Sequence, residues 1–296
     1  MRAALIIAGS TIKCGMRSKG IWTVVVASVL PMILLYLVLL ALPDTLYDAA
    51  IQLVAGFHGE DPQEASDLIL EGTDEDWNLF VTDATVSGSM KLIGVIGTAI
   101  AILFTVLTNE AARRSLQHVL SHPIPRVSVV LGAYLGAMAV TLASIATMTV
   151  FAFLLYLAQH QEANWGLFVG AGYYAIGISV TAAYCVLLTT ALPSVIGVLF
   201  AFFGTWVASQ TYNLRVALNN ISNAFVDTVG GVWMWVVPRL GDFATRGVDW
   251  AILINTKDDA FDWADTGNMV TATILAVVHI AFALGLAGWL LNRKAV

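Results

Sequence analysis

Six runs of about 20 mostly apolar residues limit the fold of this chain more than any other feature. A helix of that length crosses the roughly 30 Å hydrocarbon core of a bilayer. The runs are Ile21 to Leu42, about Ser89 to Thr108, a third within Val127 to Ala158, Gly166 to Thr190, Ser194 to Gln210 and Asn268 to Leu291. Because 58% of the residues are hydrophobic and only 11% are charged, a water-soluble globule is excluded. We predict an all-α polytopic membrane protein, with residues 1–296 forming a single transmembrane domain.

The basic residues predict the orientation of these spans. Lys and Arg collect before the first run, between the second and third, and after the sixth (Arg2, Lys13, Arg17 and Lys19; Arg113, Arg114 and Arg126; Arg293 and Lys294). With six spans these segments share one side, so the positive-inside rule places both termini in the cytoplasm. The net charge of −6 conceals this asymmetry, since residues 43–88 carry eleven acids and no Lys or Arg.

Two segments outside the six runs allow more than one interpretation. Residues 1–20 have the pattern of a basic helix lying in the membrane interface, or they are the charged flank of the first span. The apolar run behind them is longer than the core of a cleavable signal peptide, so we expect it to be retained. Within the external segment 211–267, residues 221–238 are apolar but short, and we predict a half-inserted external helix with Trp233 and Trp235 at the interface. A seventh span there would place the basic C-terminus outside.

The segment between the second and third runs, Asn109 to Arg126, has the pattern of a short amphipathic helix. Leu116, Val119 and Leu120 are apolar at helical spacing among polar residues, and Pro123 and Pro125 end the helix before the next span. A short rigid helix on the cytoplasmic side is suited to mechanical contact with a soluble partner. The alternative is a membrane-proximal helix whose charges only fix the topology.

Here the sequence resembles the permease subunits of type V ABC exporters. Their cytoplasmic turn contains an acid, Gly-Thr, Leu, two further apolar positions, Pro, Ile, Arg and then Gly-Lys. The present sequence matches this outline at Glu110, Leu116, Val119, Leu120, Pro123, Ile124, Arg126 and Gly132. It departs at Arg114-Ser115 and at Ala133. The specific match covers about Ala101 to Gly136, and outside it the likeness is one of topology.

The resemblance implies that Glu110 to His122 is a coupling helix that docks on a separate ATPase subunit, which would bind ATP and Mg²⁺. The implied docking residues are Glu110, Arg113, Arg114, Leu116, Gln117, His118, Leu120, Pro123 and Arg126. Leu116 and Leu120 suit an apolar pocket, and the charged residues suit rim pairs that set register. It also implies a second permease subunit, two ATPase subunits, export or extraction of a lipid-like substrate, and a prokaryotic inner membrane.

The motifs of common enzyme sites are missing from the sequence. There is no GxxxxGK followed by Ser or Thr, no HExxH and no GxSxG, so we expect neither nucleotide hydrolysis nor other catalysis on this chain. Cys14 and Cys185 lack metal-site spacing and are predicted apolar fillers. His58 near Glu60 and Asp61 is a weak pattern for metal ligation, and we predict no metal site and no nucleic-acid partner.

Few ionisable residues lie at membrane depth. Lys91 begins the second span, where its stem can extend outward, and His279 lies near the middle of the sixth. Both are weak candidates for a substrate path, although a histidine bonded to a neighbouring helix is the commoner arrangement. We expect the glycines of the second and third spans to permit close helix packing (Gly94, Gly97, Gly132 and Gly136).

Two other functions compete with solute export. A subunit of the same architecture can transmit ATP-driven motion to an extracytoplasmic protein, and the acidic loop 43–88 suits such a partner. A secondary transporter driven by an ion gradient is a different class. The lack of intramembrane acids and of a visible internal repeat argues against it.

Overall fold

The computed structural model describes residues 74–118, 125–214, 235–256 and 264–293, together with residues 9, 26, 29–31, 33, 34, 228, 230, 232 and 233. Side chains are described within 86–110, 125–158, 161–214, 235–252 and 269–293 and at those isolated positions. These residues form six helices: α1 Asp74–His118, α2 Arg126–His160, α3 Gly166–Ala191, α4 Ser194–Ser209, α5 Leu240–Thr256 and α6 Ala264–Arg293. No strand occurs among the described residues. The prediction of an all-α membrane protein is confirmed.

Five of the six predicted spans are recovered as helical stretches long and apolar enough to cross a membrane. They are Val86–Glu110, Arg126–Ala158, Gly166–Ala191, Ser194–Leu214 and Met269–Arg293. The fifth is longer than predicted, because residues 211–214 resume the helix after a turn at Gln210. All but a few isolated helical residues of the N-terminal segment 1–20 and of the first predicted span, and most of the acidic loop, lie outside the described residues.

Helix α3 is the centre of the described bundle and contacts α1, α2, α4, α5 and α6. About 67% of an 18-residue apolar stretch of α3 is buried inside the bundle, against 22% of the corresponding stretch within Ser194–Leu214. Helix α3 ends at Ala191 because Pro193 follows, and Leu192 before it is extended (φ −114°, ψ 165°). Helix α4 then starts at Ser194. Gly197 lies so close to Thr189 that a β-carbon there would be 3.0 Å from the Thr189 backbone. We call this tight turn between α3 and α4 the elbow. It holds the start of α4 against the last turn of α3.

Helix α5 was not predicted from the sequence. It packs along α3 and also contacts α1 and α4. Gly166 lies against the Trp250 carbonyl and Gly177 against Phe243, so α5 runs antiparallel to α3 from one end of that helix to its middle. Its three charged residues kept residues 240–256 out of the predicted spans and within the external segment 211–267 (Asp242, Arg246 and Asp249). Asp242 is nevertheless buried, and an Arg246 nitrogen lies 4.0 Å from an Asp249 oxygen.

The predicted half-inserted external helix at 221–238 is described only in part, so its insertion stays a prediction. Most of 221–238 lies outside the described residues, although Trp233 and Trp235 are helical and exposed. A further short helix follows it, at Leu240–Thr256. The sequence signal that could have revealed it is the spacing of small and apolar residues along one face (Leu240, Phe243, Ala244, Gly247, Val248 and Ala251).

Several smaller packing predictions are also confirmed. A β-carbon on Gly94 would collide with the Tyr174 ring, and one on Gly97 would lie 2.8 Å from Ile178. Gly132 and Gly136 are buried. Cys185 is fully buried as a small filler, with its Sγ 3.8 Å from the Ile102 carbonyl oxygen. Cys14 lies outside the described residues.

Candidate functional site

One end of the bundle carries Asn109, Arg126, Thr189 and Asn292, and we call it the basic end. At this end the Arg126 guanidinium donates hydrogen bonds to the carbonyl oxygens of Leu291 and Asn292, at 3.1 and 3.0 Å. These carbonyls belong to the last turn of α6, where helical carbonyls lack partners in their own helix. A cation there is favoured by the helix dipole. Arg126 therefore joins the start of α2 to the end of α6.

A second connection at the basic end starts from Asn109, near the end of the apolar part of α1. The Asn109 side chain is buried, and its Nδ2 donates to the Thr189 hydroxyl at 2.8 Å and to Thr190 at 3.4 Å. Thr189 in turn donates to the Cys185 carbonyl at 2.7 Å. The neighbouring Thr108 hydroxyl is 3.1 Å from the Ala133 carbonyl on α2. These bonds attach α1 to α2 and to the last turn of α3.

In the sequence, the predicted coupling segment lies between Asn109 and Arg126, the residues that make these two connections. Its first half is not a separate short helix, because α1 continues without a break to His118. The physical reason is that residues 98–118 contain no glycine or proline, so nothing in the sequence ends the helix there. Glu110 is half-buried. Arg113, Arg114, Leu116, Gln117 and His118 lie on the helical extension, whereas Leu120 and Pro123 lie outside the described residues. Their role in docking stays a prediction.

A cavity of about 330 Å³ lies between α1, α3, α4 and α5. Its walls are mainly apolar and aromatic, with Lys91 and several hydroxyls among them (Gly94, Val95, Tyr174, Gly177, Ile178, Phe202, Trp206, Leu240, Phe243 and Ala244; Thr98, Thr181, Thr205 and Ser209). We call this cavity the groove. Lys91 is exposed, as are Val95, Phe202 and Trp206, so the groove opens on the surface of the described helices. Its volume and lining are typical of a small-molecule site.

The two weak candidates for a substrate path differ in whether they line the groove. Lys91 lines the groove, whereas His279 does not. The Nδ1 atom of His279 lies 2.7 Å from the Tyr184 hydroxyl, which forms a hydrogen bond between α6 and α3. The structure thus gives His279 the commoner helix-bridging arrangement.

We expect Tyr184→Phe to lower the free energy of unfolding only slightly, by about 0.6 kcal/mol, because interhelical bonds in membranes average that value. The measurement is equilibrium unfolding of the detergent-solubilised chain with increasing dodecyl sulfate. Tyr173→Phe on the same helix is the matched control, since it removes a tyrosine hydroxyl outside this bond. A loss above about 2 kcal/mol for Tyr184→Phe would contradict a single bridging bond.

The structure bears on a metal site only in the part of the chain that it describes. Among the residues it describes, no group of three or more His, Cys, Asp and Glu side chains is arranged to hold a metal ion. His58, Glu60 and Asp61 lie outside those residues, so the weak loop pattern is not tested.

Comparison with protein families decides the class of this bundle. The family model described as ABC-2 family transporter protein matches residues 5–290. The chain belongs to this ABC-2 family. Membership makes it a multi-pass permease subunit of an ABC transporter and implies pairing with an ABC ATPase subunit. No curated protein matches the chain. The resemblance to ABC permeases is thus confirmed at the level of the ABC-2 family.

Proposed function

We propose that this ABC-2 permease works as a type V exporter subunit. A separate ATPase subunit that binds ATP and Mg²⁺ docks on Glu110 to His122 at the basic end, which is the cytoplasmic side. Two permease subunits and two ATPase subunits form the complex in a prokaryotic inner membrane, with both termini in the cytoplasm. ATP-driven closure of the ATPase pair then shifts the spans between inward- and outward-facing states.

The observation that carries this proposal is the continuity of α1. The helix includes the apolar stretch Val86–Glu110 and extends eight residues beyond it to His118. A force applied to that extension acts directly on a helix that contacts α2, α3, α4 and α5. Eight helical residues rise about 12 Å, enough to leave the hydrocarbon core for a soluble partner.

The groove supports a substrate with a large apolar part. Its aromatic and aliphatic walls favour hydrocarbon, while the Lys91 ammonium and the hydroxyls offer polar contacts at defined positions. Thr205 and Ser209 donate their hydroxyl protons to carbonyls of their own helix, both at 2.7 Å, so their oxygens can still accept a bond. Movement of α1 relative to α4 would change the width of the groove. Export or extraction of a lipid-like substrate is therefore the function we propose.

Co-purification of the cognate ATPase subunit tests this function. We expect the ATPase to bind the unmutated chain, and Glu110→Lys combined with Leu116→Asp to lower the recovered amount at least about tenfold. The reason is that loss of a single buried anchor costs 2 kcal/mol or more in typical interfaces. Glu162→Lys is the control, because it reverses an exposed charge beyond the far end of α2. If the ATPase does not bind the unmutated chain, the proposed coupling is wrong.

A second function is favoured by the other end of α1. The helix begins at Asp74, twelve residues before the apolar stretch that starts at Val86, so it projects about 18 Å on the acidic side. One continuous helix thus joins the predicted docking segment to the acidic segment. This geometry suits transmission of motion to an extracytoplasmic protein. If that function is correct, trapping the ATPase with nucleotide should change amide hydrogen exchange in residues 74–85. Unchanged exchange there, with a change around the groove, supports export instead.

A further inference from the structure

We propose that Arg126 and Asn109 are positioning residues that divide the motion of the coupling segment between two parts of the bundle. Arg126 passes it to the end of α6, and Asn109 passes it to the elbow between α3 and α4. This inference rests on the proposed docking of an ATPase on Glu110 to His122. It gives Arg126 a role inside the permease in place of contact with the ATPase.

The Arg126 connection is strong because polar and apolar contacts reinforce each other. The guanidinium holds two carbonyl oxygens of the last turn of α6, at 3.1 and 3.0 Å. One turn deeper, a β-carbon on Gly288 would lie 3.2 Å from a Val127 methyl, so the helices are in close contact. Below that, Val130 packs in a buried cluster with Ala283 and Ala287. The start of α2 and the end of α6 therefore move as one unit.

The Asn109 connection leads to a different place. Its amide donates to the hydroxyls of Thr189 and Thr190, two residues of the last turn of α3. The backbone of Thr189 lies against Gly197 on α4, so the contact continues across the elbow. Asn109 is only 5% exposed, and a buried amide that loses its partner is penalised. A displacement of α1 at Asn109 is thus transferred to the elbow.

The order of the residues along the chain explains why the coupling segment is connected to two parts of the bundle. Asn109 precedes the docking residues and Arg126 follows them, so the two connections lie on either side of the surface that receives the force. On the Asn109 side the link is continuous helix. On the Arg126 side Pro125, with φ −56°, comes directly before α2, and its fixed φ limits the freedom of the chain at the start of that helix. A push on the docking surface therefore reaches α6 and the elbow by separate routes.

Amide hydrogen exchange of the ATPase complex tests the division. In the complex with the unmutated chain, trapping with ATP and vanadate should change exchange both in residues 286–293 and in residues 189–197. Arg126→Gln should lose at least half of the change in 286–293 and keep the change in 189–197. Asn109→Leu should do the reverse. Arg126→Lys keeps a cation and should retain most of the response.

An engineered disulfide between α2 and α6 provides a control that distinguishes transmission of motion through this contact from a merely structural role of Arg126. A β-carbon on Gly288 would lie 3.9 Å from the Val127 β-carbon, which is within the disulfide range. In the Arg126→Gln chain, Val127→Cys with Gly288→Cys should restore the response of residues 286–293 when oxidised and lose it again when reduced. Arg293→Gln, at the same helix end, should leave that response unchanged.

The outcomes separate the two proposals. If the ATPase does not bind the unmutated chain, the proposed function is wrong and the positioning roles fall with it. If it binds but Arg126→Gln responds like the unmutated chain, or both regions lose their response equally in both variants, only the division of motion is wrong. Failure of the oxidised disulfide to restore the response of α6 also overturns it.

Discussion

Gly170→Ala is expected to destabilise the chain by about 3 kcal/mol, at the upper end of the usual cost of overpacking. The new β-carbon would collide with the Gly247 carbonyl oxygen and lie 3.1 Å from the Met90 sulfur. A backbone carbonyl cannot rotate away as a side chain can, so α5 would have to move off α3. The free energy of unfolding in mixed micelles with dodecyl sulfate measures this effect.

Gly172→Ala is the matched control for that experiment. Gly172 lies on the same helix two residues away, and a β-carbon there would meet nothing within 4 Å. Alanine is favoured over glycine in a helix by about 1 kcal/mol, so this variant should be unchanged or slightly more stable. Equal stability of the two variants would show that α5 does not pack closely on α3.

Asn164→Leu is expected to cost about 3 kcal/mol by a different mechanism. Asn164 is fully buried, its Nδ2 donates to the Ala251 carbonyl at 2.8 Å, and its Oδ1 accepts from the Gly166 N–H at 3.0 Å. Leucine keeps the volume but leaves two backbone groups without these partners, at about 1–3 kcal/mol each. Because Asn164 joins the start of α3 to α5, proteolysis should also reach residues 240–256 sooner than in the unmutated chain.

Asn213→Leu controls for the change of residue type. Asn213 is exposed, and its Nδ2 donates a hydrogen bond to the nearby Gln210 at 3.1 Å. A substitution at such a surface position typically changes stability by less than about 0.5 kcal/mol. A similarly small effect at Asn164 would mean that the bond to Ala251 does not hold α5 in place.

The described spans were predictable because their signal is local. About 20 apolar residues in a row must be helical in a bilayer, since no water is present to bind the backbone groups. The second, third, fourth and sixth spans accordingly begin and end within a few residues of the predicted positions. Helix α5 was missed because its charged residues broke that pattern, and its burial depends on glycines about 75 residues away on α3.

The candidate site was predictable only in part, for the same reason. The spacing of Leu116, Val119 and Leu120 predicts a helix in the proposed coupling segment, and the structure describes helix there as far as His118. The sequence makes Lys91 a candidate because a charge at membrane depth is rare, but the groove beside it requires residues from four helices. Nothing near Arg126 in the sequence indicates its partners, because Leu291 and Asn292 follow it by more than 160 residues.

By itself the sequence determined that the chain is a helical membrane protein, and it predicts one basic and one acidic side. These properties follow from composition and charge over short windows, where the bilayer imposes the structure. Only the tertiary structure decided that α1 continues into the predicted coupling segment as far as His118, that α5 packs on α3, and that Arg126 binds the carbonyls at the end of α6. Such contacts join residues far apart in the chain, and they depend on shapes that become complementary only when the helices are packed together.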